Sequence, residues 1–467
     1  MSFQIVHTID YLPAERIYFM KKLSIAFLFA VGWLWTYTAV AQRQADSLAR
    51  QAFLPECIQY ALGHQPVVRQ SLIDQEVAER TIQSSLAAWF PQISGIYNQQ
   101  HYIKQPVTLF PDPTTGEVVP RVIGAKNTGT ASLSVTQNIF NRDLLLANQT
   151  ADAIRVQAVQ TTVRNKIDVV VNVSRAFYDV ITTQRQVEIL TEDITRLQRS
   201  LQDATNQYQG GIVDKTDPQR AKIALNNSLA QQKQYRDLVG AKIQTLKQVM
   251  GYPPTNQLHV AYDSLQLAND AILDTLSLAN PQNRVEYQLL QSQGRLLEAN
   301  VRYSRWAYLP NVAAYGNYNL LYQNNTFGQL FNTVFPNSLV GLSIALPIFQ
   351  GGRRIQQTKI AELQVRRLQW DLAALTSAVD AEYAQALATY KGGLANYIAL
   401  QENQQLAEDV YRIINLQYRS GIRTYLDVTI AEADLRTARI NVFNALYQVL
   451  VSKLDVQRAL GAIRFDG

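Results

Sequence analysis

Cysteine is nearly absent from this chain. Cys57 stands alone among 467 residues, which excludes an intramolecular disulfide. Histidine is almost as scarce: His7, His64, His101 and His259 lie far apart and offer no metal-ligand pair at helical spacing. No GxSxG, P-loop, HExxH or CxxC pattern occurs, so the common hydrolytic, nucleotide-binding and zinc chemistries have no motif to stand on. Neither an enzyme nor a cofactor or metal is expected. Charge is sparse as well, at 17% of residues against about 25% in ordinary soluble domains. Gln and Asn fill polar faces instead. The net charge of +6 is spread along the chain without a basic stripe, so nucleic acid is not an expected partner. Beyond the N-terminal region no uninterrupted run of 18 apolar residues occurs. A chain that crosses a membrane without such a run must do so with strands.

What is present begins with an address. Met20-Lys21-Lys22 precedes a mostly apolar run over 23–35, and Ala39-Val40-Ala41 follows before Gln42. That is a charged segment, an apolar segment and a small-x-small cleavage site. Met20 is read as the start and Ala41–Gln42 as the cut. A signal anchor is the alternative, although the run is short for a span of about 20 apolar residues. Cys57 lies too far downstream for a lipoprotein cysteine and reads as a buried helix residue.

The rest is organised by an internal echo. NQYQGGIVDKTDPQRAKIAL at 206–225 lies over LQYRSGIRTYLDVTIAEADL at 416–435, with Tyr208 on Tyr418, Gly211 on Gly421, Ile212 on Ile422 and Asp217 on Asp427. In each copy a long helical pattern ends in glycine, which suits the left-handed cap, and another begins a few residues later. Thr424 and Asp427 have capping-box spacing, whereas Asp217 followed by Pro218 suits an N-cap and first helical position. A repeat of 210 residues is too long for a solenoid and reads as one large unit duplicated. The segments are an upstream extension and signal at 1–41, a first repeat at 42–251, a connector at 252–280 and a second repeat at 281–467.

Each repeat follows one order. In the first, a helical pattern over 45–90 breaks near Gly63–Pro66. Strand-like segments follow at 92–104 and 128–140, joined by a proline-rich loop, and then an unbroken helical run over 141–208. Val187, Leu190, Ile194, Leu197, Leu201, Ala204 and Tyr208 step by three and four, the seam of a coiled coil. A helix from about Asp217 to Met250 completes the first hairpin. In the second, a helix over 283–308 precedes strands at 311–323 and 338–349. Gly351-Gly352 marks the switch to a long helix ending at Tyr418, with a weak point at Gly392-Gly393. In the last helix Val428, Leu435, Val442, Val449 and Val456 recur every seven residues, each followed three positions later by Ala431, Ala438, Ala445, Ser452 or Ala459. Bulky and small rows side by side let a neighbouring helix approach closely.

Four strands per chain cannot close a transmembrane barrel, and an open sheet edge in lipid leaves backbone groups unsatisfied. Several copies are needed: two reach the bacterial minimum of eight strands and three reach twelve. The signal, the duplicated strand-and-hairpin units and the stretches GIRTYLDVTIAEADL at 421–435, LPIFQGG at 346–352 and KLDVQRALGAI at 453–463 resemble the TolC family of outer-membrane efflux channels. The resemblance covers essentially the whole mature chain. It implies a mainly α fold of long coiled-coil hairpins with a β-barrel part in outer-membrane lipid. The barrel would be shared by a homotrimer, and a periplasmic adaptor and an inner-membrane transporter would be the partners. It also implies a periplasmic aperture formed by Thr216, Asp217, Tyr418, Arg423 and Asp427, with Arg423 latched to Asp217 and Asp427 projecting into the pore. Gly211, Ile212, Gly421 and Ile422 would contact the adaptor. Where the family's best-known pattern has a second acidic residue this chain has Ile430, so a double acidic ring is not carried over. A coiled-coil adaptor without a channel is the alternative, but the glycine-rich short-strand domains of adaptors do not appear.

Overall fold

The computed structural model describes residues 51–111, 116–273 and 279–465; the expected signal segment at 1–41 lies outside them. Two short helices, α1 (Leu54–His64) and α2 (Pro66–Leu86), open the described chain. They part at Gln65, where Pro66 takes the first position of the second helix, as proline's fixed φ favours. Helix α3 (Arg142–Gln209) is continuous for 68 residues, about 100 Å at 1.5 Å per residue. Asn141 starts it by accepting a hydrogen bond from the Asp143 amide at 2.7 Å, and no glycine or proline interrupts it. Helix α4 (Thr216–Met250) returns alongside. Asp217 is thus its second residue and Pro218 its third, not the cap and first position; Lys215 caps the helix through its backbone alone.

After a short helix, α5 (Ser264–Asp270), the second half repeats the plan with α6 (Val285–Arg305), α7 (Arg353–Arg419) and α8 (Tyr425–Ala459). The expected weak point at Gly392-Gly393 does not break α7. A β-carbon at Gly393 would meet only Val449 Cγ2, at 3.7 Å, so the close packing of α8 supports the helix there. Toward the sheet α3 packs on α2 and α6 and α7 packs on α6; toward the tips α3 packs on α4 and α8 and α7 packs on α8. Every bulky position of the last helix is buried, with Val428, Leu435, Val442, Val449 and Val456 at most 6% exposed. In the first seam Leu190, Ile194, Leu197 and Ala204 are buried while Tyr208 emerges at 43%, where the hairpin turns.

The main core lies at the equator. Ala52 bridges in parallel to Val260 of the connector, and the buried Tyr390 hydroxyl donates to the Ala271 carbonyl at 2.9 Å while accepting from the Leu273 amide. The connector is thereby tied both to the start of the chain and to α7. Cys57 is fully buried in this core, as expected for a helix residue.

The strands are β1 (Gln92–His101), β2 (Val107–Pro111), β3 (Val118–Val122), β4 (Asn127–Phe140), β5 (Asn311–Asn324) and β6 (Val334–Ala345). Four form an antiparallel sheet in the order β1-β4-β5-β6, and β2 and β3 form a separate ribbon. The expectation of four strands per chain therefore holds for the sheet and misses the ribbon. Prolines in that loop argued against strands, but Pro111 and Pro120 sit in a two-stranded ribbon whose every strand is an edge, where a missing donor is tolerated. β6 also lies four residues earlier than expected. It stops where its partner β5 begins, Asn311 opposite Ala345, because Pro310 and Pro347 prevent further pairing. Pro336 is accommodated because β6 is an outer strand.

Candidate functional site

Two parts of the molecule carry chemistry: the hairpin tips and the faces of the sheet. The tips are built alike. In the first, the Ile212 amide donates to the Gln207 carbonyl at 2.9 Å; in the second, the Ile422 amide donates to Gln417, also at 2.9 Å. Between them Gly211 and Gly421 adopt φ of +72° and +77°, the left-handed conformation that closes a helix end in this way. The isoleucine after each glycine is thrown outward, Ile212 at 76% and Ile422 at 73% exposed.

Thr424 and Asp427 form the expected capping box. The Asp427 carboxylate accepts from the Thr424 amide at 3.1 Å and from its hydroxyl at 2.9 Å. These two bonds, with Arg423 adding a weaker pull, hold the carboxyl below the usual aspartate range. Asp427 is thus committed to its own helix start. The expected bond between Arg423 and Asp217 is not formed among the described residues. Arg423 instead donates to Gln417 at 3.3 Å and approaches Asp427 at 4.0 Å. The capping box fixes Asp427 one turn from Arg423, so the nearest carboxylate lies on its own helix. Of the residues expected at the aperture, Tyr418 joins the hairpins: its hydroxyl donates to Gln207 of α3 at 2.8 Å and its ring meets Tyr425 edge-on at 5.8 Å. Burial pushes the Tyr418 hydroxyl pKa up, and Asp217 and Asp203 add to it. Thr216 and Asp217 occupy the first turn of α4, and Ile430 is half exposed.

Above the tips lies a set of contacts that the sequence reading missed. Arg436 of α8 reaches Asp193 of α3 at 3.1 Å and Ser228 of α4 at 3.0 Å. Asp193 is fully buried and also receives Ser228 and Arg196. One turn on, Arg439 binds Glu408 of α7 and Glu192 of α3. These two arginines link all four helices of the two hairpins. Beside them Glu432 is 2% exposed; one oxygen accepts from Ser200 at 3.1 Å and Tyr411 at 3.4 Å, and the other has no partner among the described residues. Burial raises its pKa, Asp193 adds to the rise, and Ser200, Arg196 and Tyr411 oppose it. The available signal was position: Asp193 and Glu432 each adjoin a seam residue, Ile194 and Ala431, where a carboxylate needs a partner.

The sheet has two unlike faces. Residues directly opposite one another share a face. The register places Ile93, Val135, Gly316 and Val340 in one cross-strand row, Tyr97, Ala131, Leu320 and Pro336 in another, and Leu133 beside Tyr318 on the same side. The opposite side carries the rows Ser94, Ser134, Asn317, Leu339 and Ile96, Ser132, Asn319, Asn337. Asn319 donates to Asn337 there at 2.8 Å. A mainly apolar face backed by one rich in Ser, Thr and Asn is the wall of a water-filled barrel in lipid. β1 is 10 residues long, the length of a tilted bilayer-spanning strand. Among the described residues no helix is long and apolar enough to cross a membrane.

Comparison with known proteins agrees with this geometry. The outer membrane efflux protein family matches residues 57–252 and 282–462. The outer membrane protein TolC of Escherichia coli K12 is 23% identical over 441 residues, spanning 90% of this chain and 84% of TolC. The proteases secretion protein PrtF of Dickeya chrysanthemi is 21% identical over 305 residues, 63% of this chain and 64% of PrtF. Among solved structures, VceC of Vibrio cholerae superposes with a TM-score of 0.67 at 17% identity, covering 87% of this chain and 96% of that one. CusC superposes with a TM-score of 0.69 at 17% identity, covering 89% and 96%. The chain is an outer-membrane channel protein with a long periplasmic helical part, and it belongs to the outer membrane efflux protein family.

Proposed function

We propose that three copies of this chain share one twelve-strand barrel and form the passive duct of a tripartite efflux or secretion system. The supporting observation is the two-faced sheet with open edges at β1 and β6. Each edge presents unpaired backbone groups that lipid cannot satisfy, and pairing β6 of one copy with β1 of the next removes both. The duplicated unit, with repeats at 42–251 and 281–467, gives each copy two hairpins for the periplasmic tunnel. A channel-free adaptor is disfavoured, because its apolar sheet face would stand in water.

In this reading the tips are the aperture. Thr216, Asp217, Tyr418, Arg423 and Asp427 surround it, and the half-exposed Arg423 would latch to Asp217 of a neighbouring copy rather than of its own. Gly211, Ile212, Gly421 and Ile422 form the surface offered to a periplasmic adaptor, which couples the duct to an inner-membrane transporter. Exposed ion pairs are worth only about 0–1 kcal/mol, so adaptor docking suffices to release such a latch. The relatives include proteins named for efflux and for protease secretion, and a water-filled duct suits either cargo.

The test is single-channel conductance of the purified protein in planar bilayers, beside Arg423→Ala. Small, cation-sensitive currents that enlarge in the variant are expected. Equal currents would retain the duct and remove Arg423 from the latch. A well-folded oligomer without channel activity would sink the duct reading.

A further inference from the structure

Between the sheet and the equator the helices lie in the order α2, α3, α6, α7, the order of the strands to which they are joined. The two outer helices are packed on one side. α2 turns Ser71 and Ile82 inward, both buried, and the Ser71 carbonyl accepts from Thr162 of α3 at 3.2 Å. α7 turns Ala361 and Leu368 inward, so close that a β-carbon at Gly294 of α6 would meet Leu368 at 3.0 Å. Two residues past Ser71 and Leu368, about 200° around each helix, stand Ile73 and Trp370, 60% and 73% exposed. Val77 and Leu363, also exposed, extend the two apolar stripes. Trp370 comes 17 residues after Arg353, the first residue of α7, about 25 Å along the helix. That is below the barrel, so lipid is not its cover.

The duplication supplies a template for the cover. Pro91 and Pro310, which follow the matching helices α2 and α6, are 219 positions apart, and the matching tips that end α3 and α7 are 210 apart. β1 follows α2 and β6 precedes α7, so joining β6 of one copy to β1 of the next sets α7 beside the neighbour's α2. The α3–α6 junction within a chain is the counterpart of that joint. There Ser292 donates to Gln160 at 2.8 Å, and the two offsets carry this pair onto Ile73 and Trp370. A second inner contact, Arg302 donating to Gln149 at 3.1 Å, is carried onto Gln83 and Lys359, polar again. The same offsets set the exposed Arg366 opposite Glu76, a complementary pair. We propose that Trp370 of one copy seats against Ile73 and Val77 on α2 of the neighbouring copy. The seat rests on the shared-barrel reading above. It is heterologous, α7 to α2, and repeats around a closed ring. A polar pair inside the chain thus becomes an apolar one between chains. The inner junction forms as the chain folds, whereas the joint between copies must draw two separate surfaces together, and burying an indole supplies that attraction.

The one native cysteine is buried, so introduced thiols report without background. Chains carrying both Trp370→Cys and Ile73→Cys would be purified as oligomers and oxidised. Disulfide-linked dimers and trimers are expected on a non-reducing gel, at least about tenfold above those from Trp370→Cys with Asp74→Cys, since a disulfide needs converging β-carbons at short range. Asp74 is exposed at the same level but about 100° round the helix. Arg366→Cys with Glu76→Cys is the second pair, should loss of the indole hinder assembly. Two results would overturn the seat while native mass still shows a trimer: equal yield with Ile73→Cys and Asp74→Cys, or no link from either facing pair. Absence of a trimer in the wild type would instead remove the shared-barrel reading.

Discussion

At the scale of single residues the hairpins are held by charge placed inside a seam. Asp193 is buried with Arg436, Arg196 and Ser228 around it. Arg436→Ala leaves that carboxylate with one cation and is expected to cost about 3 kcal/mol, read as a lower thermal midpoint and faster amide exchange along α3 and α8. Arg423→Ala, half exposed, should leave the midpoint nearly unchanged. Glu432 supplies a pH dependence. Folding raises its pKa, so the native state keeps that proton longer than the unfolded chain. Its contribution is intact below the usual glutamate value of 4.5 and is lost as pH rises through the raised folded value. Glu432→Gln should therefore raise the thermal midpoint at pH 8 and leave it unchanged at pH 4; a gain of equal size at both would refute the assignment. Asp427 acts in the opposite sense: its lowered pKa gives stability above the usual 3.8 that is lost as pH falls. Burial pushes the Cys57 thiol up to about 12, so it should resist maleimide in the native protein and react on unfolding.

Elements were legible where pattern and stop signals agreed. The four long helices were read within two residues at most ends, because glycine closes them and heptads fill them. The Thr424 box was legible from two residues; Thr424→Ala should cost about 1 kcal/mol and fray α8 by hydrogen exchange. Gly421→Ala should cost about 1–2 kcal/mol from backbone conformation alone, since nothing lies within 4 Å of the added carbon. Gly421→Asn should cost less, because asparagine tolerates the left-handed conformation. Less was legible in the strands. Prolines hid the ribbon and shifted β6, because a local rule against proline in sheets does not know which strands are edges. Arg423–Asp217 failed within the chain for a related reason. The spacing of the tips records which residues share the two turns, not that the Thr424 box holds the Asp427 carboxylate beside Arg423.

At the scale of the whole molecule, the duplicated order of helix, strand pair and hairpin was readable from one echo of 210 residues. The two-faced character of the sheet was not, since it needs the register across four strands. The two open edges of that sheet also set the order of events in biogenesis. A lone chain cannot rest in the bilayer as a partly built wall, because each edge would expose its unpaired amides and carbonyls to hydrocarbon. Copies must meet before or during insertion, so the yield of membrane-embedded protein should depend on chain concentration more steeply than linearly. A mutation that spoils one edge would then poison the copies it joins as well as its own.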